Sequence, residues 1–374
     1  MKISGVAELP LHRGGVPRWL FKRMVKLAEG IIAIIVEEYG EKEFLNRISD
    51  PYWFQAFGCV LGFDWHSSGL TTVTIAALKE ALKPENHRLV VCGGKGKASK
   101  KTLEEIEKAS KYFDFSNNII SKLEYASRMT AKVDNAAIQA GYPIYHHSMV
   151  ISESGDWTVI QQGMNIEDKT ARRYHWISNS VESFVVEPHK AIVGDVKRPV
   201  ALNMTAKESE ECRQVSVDLV KEKPEKIVRL LKNIRPVYQK SLIEWINERK
   251  NEPYVIKTLI MPRTLNWNAL RKAYEIQPKN YEELLSIRGI GPATVRGLAL
   301  ISELVYGEPP SWKDPVKYSF AFGGKDGVPY PVNRKAMDEA ITILMNALEE
   351  AKIKGKEKFN AIKRLRKLTS NWMG

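Results

Sequence analysis

Side chains that could carry out hydrolytic chemistry are concentrated in the first half of the 374-residue chain. Carboxylates can hold a divalent metal ion, a histidine can act as a base, and cationic groups can neutralise charge that develops on a phosphate. From this set we predict catalytic roles for Asp64, His66, Asp134 and His147, with Asp64 and Asp134 as metal ligands for Mg²⁺ or Mn²⁺. The alternative is a structural network of polar and aromatic groups.

Two cationic segments of the same region could bind phosphate. Lys95 and Lys97 lie in a glycine-rich segment after a predicted strand, although the spacing is not that of a Walker loop. Arg172 and Arg173 precede a tyrosine, a histidine and a tryptophan, a combination of guanidinium groups and stacking rings that suits single-stranded nucleic acid. The alternative for the lysine segment is a flexible turn.

A third motif lies further along the chain, at residues 284–298. Its spaced aliphatic residues predict two short helices joined by the turn Gly289-Ile290-Gly291, and Pro292 suits the first position of the second helix. The free amides at such a helix start form a site for a phosphate oxygen. We predict DNA contacts from the turn and from three neighbouring side chains, Arg288, Thr294 and Arg296.

This segment resembles the helix-hairpin-helix motif of many DNA repair and recombination proteins. The resemblance implies a grip on the backbone that reads no bases, so binding is expected to be independent of sequence. A basic cluster near the end of the chain could add phosphate contacts or could be an ordinary solvated face; it comprises Lys363, Arg364, Arg366 and Lys367.

The spacing from Gly307 to Asp314 is similar to that of helix-hairpin-helix DNA glycosylases, in which an aspartate follows the hairpin. The resemblance implies that Asp314 stabilises a cationic sugar as a flipped base leaves. The chain departs from that family in having Ala293 where the lyase-type members place a lysine, and Pro315 after the aspartate. The alternative is that Asp314 only shapes a turn.

The elements that position these residues change in type along the chain. Helices are predicted at 19–41, 71–82 and from 101, strands at 88–92, 145–151, 157–161 and 183–186, and an irregular aromatic stretch at 51–54. Beyond 205 the predicted elements are helical, with segments at 209–221, 224–231, 238–250, 267–274, 281–287, 292–306, 333–351 and 356–368. We therefore predict a mixed α/β (α+β) N-terminal domain over 1–205 and an all-α helix-hairpin-helix domain over 206–374.

Composition narrows the choice of partners and compartment. Lysine and arginine number 57 against 44 acidic residues, a net charge of +13 that attracts polyanions. Only Cys59, Cys92 and Cys212 occur, without a paired spacing, which argues against a disulfide framework and a cysteine-built zinc site. The apolar stretch 27–36 is short and interrupted by Glu29, so we expect no membrane segment and a cytoplasmic protein.

Several longer motifs together resemble the domain-of-unknown-function family numbered 763. They include Leu9-Pro10-Leu11-His12, Asp64-Trp65-His66-Ser67-Ser68-Gly69, Cys92-Gly93-Gly94-Lys95-Gly96, Tyr145-His146-His147, Gln161-Gln162-Gly163-Met164-Asn165 and Ala171-Arg172-Arg173-Tyr174-His175-Trp176. We expect a DNA-processing protein, foremost a metal-dependent nuclease acting on single-stranded, branched or damaged DNA. The alternatives are a glycosylase-like enzyme that uses Asp314 and a non-catalytic module that binds DNA structures. RNA is less favoured than DNA as the substrate, and the oligomeric state is open.

Overall fold

The fold is taken from a computed structural model of the chain. It describes residues 16–62, 69–194, 196–234, 261–262, 264–316, 334–350 and 361–363, with side chains from 342 onward in the segment 334–350. The predicted helix at 238–250 and most of the one at 356–368 therefore lie outside the described residues. Within the described residues, no helix combines the length and the apolar character needed to cross a membrane.

A five-stranded antiparallel sheet forms the middle layer, with the strand order β1-β3-β4-β5-β6. Its strands are β1 (Leu89–Lys95), β3 (Ile144–Ser152), β4 (Trp157–Asn165), β5 (Thr170–Ile177) and β6 (Ala191–Gly194). Two short strands, β2 (Ile138–Gln139) and β7 (Leu202–Asn203), pair separately. The predicted hairpin around residues 153–156 is confirmed, since β3 and β4 pair on either side of it.

Helices cover both faces of the sheet. Side chains alternate between the two faces along each strand, so each face carries apolar residues that pack against helices. On β3, Val150 packs into one apolar core and its neighbours Met149 and Ile151 pack into the other. Polar residues of β3, β4 and β5 are consequently buried beneath helices on either side of the sheet. The fold is mixed, as predicted.

The first face is covered by α1 (Arg18–Ser49), α2 (Pro51–Leu61) and α3 (Gly69–Ala81). A later helix, α12 (Arg334–Glu350), packs on α1 and α2. The prediction of an irregular stretch at 51–54 is wrong, because α2 runs through it. Asp50 accepts hydrogen bonds from the amides of Tyr52 and Trp53, and Pro51 occupies the first helical position. All eleven residues of α2 are buried, so it lacks the polar stripe that makes a helix recognisable.

The second face is covered by α5 (Thr102–Phe113) and α6 (Asn117–Lys132). The same apolar core continues through α7 (Glu210–Lys221), α8 (224–234), α9 (Trp267–Ile276), α10 (Tyr281–Ser286) and α11 (Pro292–Ile301). A short helix, α4 (Pro84–His87), precedes β1. Wider helical turns continue α6 through Val133–Ala137 and α11 through Ser302–Tyr306. The predicted strand at 183–186 is wrong, since that segment is irregular.

One apolar core joins residues from both sides of position 205. It includes Met149 and Trp176 of the sheet together with Leu285 of α10 and Val295 of α11. The helices after 205 thus share one apolar core with the sheet, and α10 and α11 pack on α6 and on the wide turn that follows it. The division into domains at 205 remains a prediction.

Candidate functional site

Part of the turn between α10 and α11 is exposed to solvent. Gly289 has φ +98°, a conformation that favours glycine, and an added Cβ there would lie 2.9 Å from Cβ of Ala269. Ile290 is fully buried and anchors the turn in the core, whereas Arg288 and Gly289 are exposed. The predicted glycine-dependent turn is confirmed, with its two neighbouring helices.

The start of α11 offers amide groups that have no acceptor among the described residues. The first hydrogen bond of the helix runs from the amide of Val295 to the carbonyl of Gly291. Among the described residues, the amides of Gly291, Ala293 and Thr294 donate to no acceptor. An added Cβ at Gly291 would have its nearest neighbour 4.0 Å away, so the space in front of the turn is open. These amides and the helix dipole suit an anion.

Three side chains from elsewhere hold the turn in place through its carbonyl groups. Lys132 at the end of α6 donates to the carbonyl of Ile287 at 3.1 Å, and Asn266 before α9 lies 3.4 Å from that of Gly289. Gln139 of β2 donates to the carbonyl of Pro292 at 2.8 Å. Burial lowers the pKa of the Lys132 ammonium group. The sequence analysis did not identify Lys132 or Asn266, because no short sequence pattern indicates that a residue will contact a turn far along the chain.

The predicted contact residues near the turn differ in accessibility. Arg288 is exposed, Thr294 is buried, and Arg296 is half-buried and donates to Oε1 of Gln139 at 2.7 Å. Of the basic cluster near the end of the chain, Lys363 is exposed and the other three members lie outside the described residues. Arg288 is therefore the predicted contact most open to a ligand at the turn.

A cavity of about 390 Å³ opens beside the first turn of α11. Its walls come from α11, from the wide turn after α6, from the segment after β2 and from the end of β4. The lining includes Asn135, Gln139, Tyr142, Asn165, Pro292 and Arg296. The helix start and this cavity are thus adjacent, because Pro292 belongs to both.

Asp134 does not lie in this cavity but in a buried network between the sheet and the helices. Its Oδ2 accepts hydrogen bonds from Gln161 at 2.5 Å and Trp176 at 2.9 Å, and its Oδ1 lies 2.5 Å from Nε2 of His189. Burial raises the pKa of the Asp134 carboxyl group, opposed by these three partners. All the contacts of this carboxylate that the structure shows are with protein groups.

His147 belongs to the same network through Gln161. Its Nδ1 lies 2.9 Å from Oε1 of Gln161 and its Nε2 lies 2.9 Å from the Ser127 hydroxyl. Burial lowers the pKa of His147, opposed by the hydrogen bond to Gln161. The sequence placed Asp134 and His147 in one site, and the structure does bring them together, though beneath the surface.

The described residues do not fit a divalent metal ion. Among them, no group of three or more histidine, cysteine, aspartate or glutamate side chains is arranged to hold one. Among the described hydrogen-bond partners of Asp134, only His189 is a residue of the kind that commonly binds metal ions. Both carboxylate oxygens of Asp134 already have protein partners. Asp64 and His66 lie outside the described residues.

Arg172 and Asp314 form an ion pair in the interior. Nη2 of Arg172 lies 2.6 Å from Oδ2 of Asp314, and both side chains are fully buried. The same carboxylate accepts from the backbone amides of Arg198 at 2.6 Å and Val316 at 3.2 Å. Burial alone would lower the pKa of Arg172, but the adjacent Asp314 carboxylate raises it, so the guanidinium group keeps its charge. The predicted contact of Arg172 with nucleic acid is corrected, since its guanidinium group is inaccessible.

Arg173 is buried on the opposite face of the sheet and is likewise corrected as a nucleic-acid contact. It donates to His175 at 2.8 Å and to Gln55 of α2 at 3.0 Å, and its guanidinium carbon lies 4.6 Å from the ring centre of Phe54. These contacts fix α2 against β5. The Arg-Arg pair therefore sends one side chain to each face, and both are structural.

Lys95 and Lys97 are exposed at the end of β1 and in the helical turn that follows. Nζ of Lys95 lies 5.9 Å from the ring centre of Tyr145. Glu105 already accepts the amide of Gly93 at 2.6 Å and pairs with Lys79. The loop therefore directs at least one of its amides to a carboxylate of the protein, and the two lysines are solvated cations.

Comparison with known proteins gives a family for the chain. The family model described as protein of unknown function (DUF763) matches residues 5–332. No curated protein and no solved structure matches the chain. The match spans most of the chain, including the sheet, the buried network and the turn between α10 and α11. The chain therefore belongs to the DUF763 family.

Proposed function

We propose that this protein binds DNA by holding its backbone at the turn 287–291 and at the start of α11. The observation that carries the proposal is the set of amides of Gly291, Ala293 and Thr294, which have no acceptor among the described residues. Backbone amides at a helix start bind phosphate oxygens through hydrogen bonds and the helix dipole. The resemblance of residues 284–298 to helix-hairpin-helix motifs supports DNA as the polyanion.

Charge around the turn favours the same ligand. Arg288 is exposed on the turn itself, and Lys132 and Arg296 contact its carbonyl groups or its neighbour Gln139. The whole chain carries a net charge of +13, which increases the rate of association with a polyanion. Amides and guanidinium groups directed at phosphates carry no sequence information, so binding is independent of base sequence.

Cleavage of the bound strand is the catalytic part of the proposal, with single-stranded, branched or damaged DNA as the substrate. It depends on Asp64 and His66, because the described residues alone do not fit a metal ion. The glycosylase alternative has less support, since Asp314 is fully buried and paired with Arg172. A module that binds DNA without turnover is the remaining alternative.

One experiment separates these activities. Labelled single-stranded, forked and duplex DNA, with and without uracil, is incubated with the protein in the presence of Mg²⁺ or Mn²⁺ or of a chelator. Binding that is equal for permuted sequences, with cleavage that the chelator abolishes, supports the full proposal. Abasic sites that form despite the chelator would instead support the glycosylase, and binding without turnover would leave the module. Absence of DNA binding at low salt would contradict the proposal.

A further inference from the structure

The cavity beside α11 has the size and position of a pocket for one nucleoside. Its volume of about 390 Å³ is near the lower end of the range of roughly 300 to 1,000 Å³ found for small-molecule sites. Pro292, which begins the helix whose first amides lack acceptors among the described residues, lines the cavity together with Arg296. A strand held by its phosphate at the helix start would therefore have an adjacent base at the mouth of the cavity.

An unsatisfied donor lies in the wall of this cavity. Asn165 is 4% exposed, and its Nδ2 has no hydrogen-bond partner among the described residues. Its Oδ1 accepts from the backbone amide of Glu167 at 2.9 Å, which fixes the orientation of the amide group. A buried donor without an acceptor is unfavourable, and a carbonyl or ring nitrogen of a base would provide one.

An exposed apolar side chain stands at the rim. Ile166 is 73% exposed although it follows the buried Asn165, and it lines the same cavity. Proteins that bind the DNA minor groove frequently insert an apolar side chain between base steps, which partially unstacks the bases. The turn after β4 that carries Ile166 also contains charged residues. Asp168 pairs with Arg198, and Lys169 is exposed.

We propose that the cavity accepts one unpaired base, turned out of a DNA strand whose backbone is held at the start of α11, and that Ile166 fills the gap in the stack. This inference rests on the proposed DNA binding and adds the recognition of unpaired or weakly paired positions. No bond is made or broken in this step. Its cavity does not include Asp314, so it is independent of glycosylase chemistry.

Gln139 connects the pocket with the phosphate site. Its Nε2 donates to the carbonyls of Ala136 and Pro292, both at 2.8 Å, and its Oε1 accepts from Arg296 at 2.7 Å. With both ends of its amide engaged, Gln139 holds the cavity wall and the helix start in one fixed arrangement. A base and its neighbouring phosphate would therefore meet a preformed surface.

The test uses a duplex in which 2-aminopurine forms a mismatched pair, because its fluorescence rises when the base leaves the stack. Fluorescence and anisotropy of a second label are recorded together as the full chain is added. The variants are Asn165→Asp, which keeps the acceptor for Glu167 and removes the donor, and Ile166→Ser. The matched control is Ile276→Ser, an exposed apolar residue at the far end of α9, 52% exposed.

We expect the wild type to raise the fluorescence as it saturates the DNA. Loss of one hydrogen bond, together with repulsion between the new carboxylate and the strand, lowers the eversion equilibrium about 2-fold or more in Asn165→Asp. Ile166→Ser lowers it as well, while Ile276→Ser matches the wild type. Binding with unchanged fluorescence, or equal fluorescence in all variants, would overturn the inference and leave the proposed function standing. Absence of any anisotropy change would overturn both.

Discussion

Replacing Asp314 by asparagine should destabilise the fold without weakening the grip on DNA. The carboxylate of Asp314 is the only acidic partner of Arg172 among the described residues, at 2.6 Å, and neither side chain is exposed. The guanidinium group also lies 4.4 Å from the ring centre of Tyr142 and 3.4 Å from the carbonyl of Val196. Without the carboxylate, a charged group remains in the interior with neutral neighbours.

The expected loss follows from that uncompensated charge. Removing one partner of a buried ion pair costs about 3 to 5 kcal/mol of unfolding free energy. Native domains have roughly 5 to 15 kcal/mol in total, so Asp314→Asn should lose a large fraction of the stability. Replacing both residues, as in Arg172→Met with Asp314→Asn, removes the charge as well, and the double variant should be more stable than the sum of the single losses implies.

The assay is equilibrium denaturation in urea of the wild type, both single variants and the double variant, with DNA affinity measured on the folded protein. Asp314→Asn is expected to have a lower midpoint and wild-type affinity once folded. If Asp314→Asn lowered the unfolding free energy by less than about 1 kcal/mol, the result would contradict a buried ion pair whose disruption costs several kcal/mol. Normal stability with lost DNA processing would show that Asp314 acts in function instead.

Three further outcomes are expected. Burial, with repulsion from His147 and Lys95, lowers the pKa of His146 from 6.5 to about 3, so the unfolded chain takes up a proton that the folded protein excludes. The contribution of His146 to stability is complete above pH 6.5 and declines as the pH falls towards 3, by up to about 1.4 kcal/mol per pH unit. In His146→Gln, the urea midpoint should therefore depend less on pH over this range. Gly289→Ala should cost about 1 to 2 kcal/mol of unfolding free energy, measured in urea, because of the positive φ, and an unchanged midpoint would argue against the turn conformation. DNA affinity should fall roughly 10-fold or more between about 50 and 200 mM salt, and a flat titration would exclude a grip on several phosphates.

Local patterns in the sequence predict those elements whose cause is local. The hairpin of β3 and β4 follows from alternating strands around Gly155, which has φ +82°. The turn at 287–291 follows from two glycines and a proline between aliphatic residues, and its glycine at 289 does have a positive φ. In both cases, the residues that determine the conformation lie within a few positions of one another.

The roles of charged residues in the interior could not be predicted in this way. Arginine is rarely buried unless it is paired, so Arg172 and Arg173 suggest an exposed basic site. Their partners Asp314 and Gln55 lie 142 and 118 positions away along the chain, where no local pattern connects them. The cavity beside α11 could not be predicted for the same reason, because its walls meet only when β4, α6 and α11 pack together.

The affinity of Gly291→Ala for DNA tests the central claim most directly. Gly291 has φ −119° and an open space where a methyl group would project, so alanine fits the fold and obstructs only the approach of a ligand to the amides. Gly194→Ala is the matched control, since its added methyl group meets its neighbours at ordinary distances of 3.5 Å and more. We expect Gly291→Ala to bind single-stranded and duplex DNA about tenfold more weakly, while the control binds as the wild type does. Wild-type affinity in a folded Gly291→Ala variant would contradict the phosphate site at the start of α11.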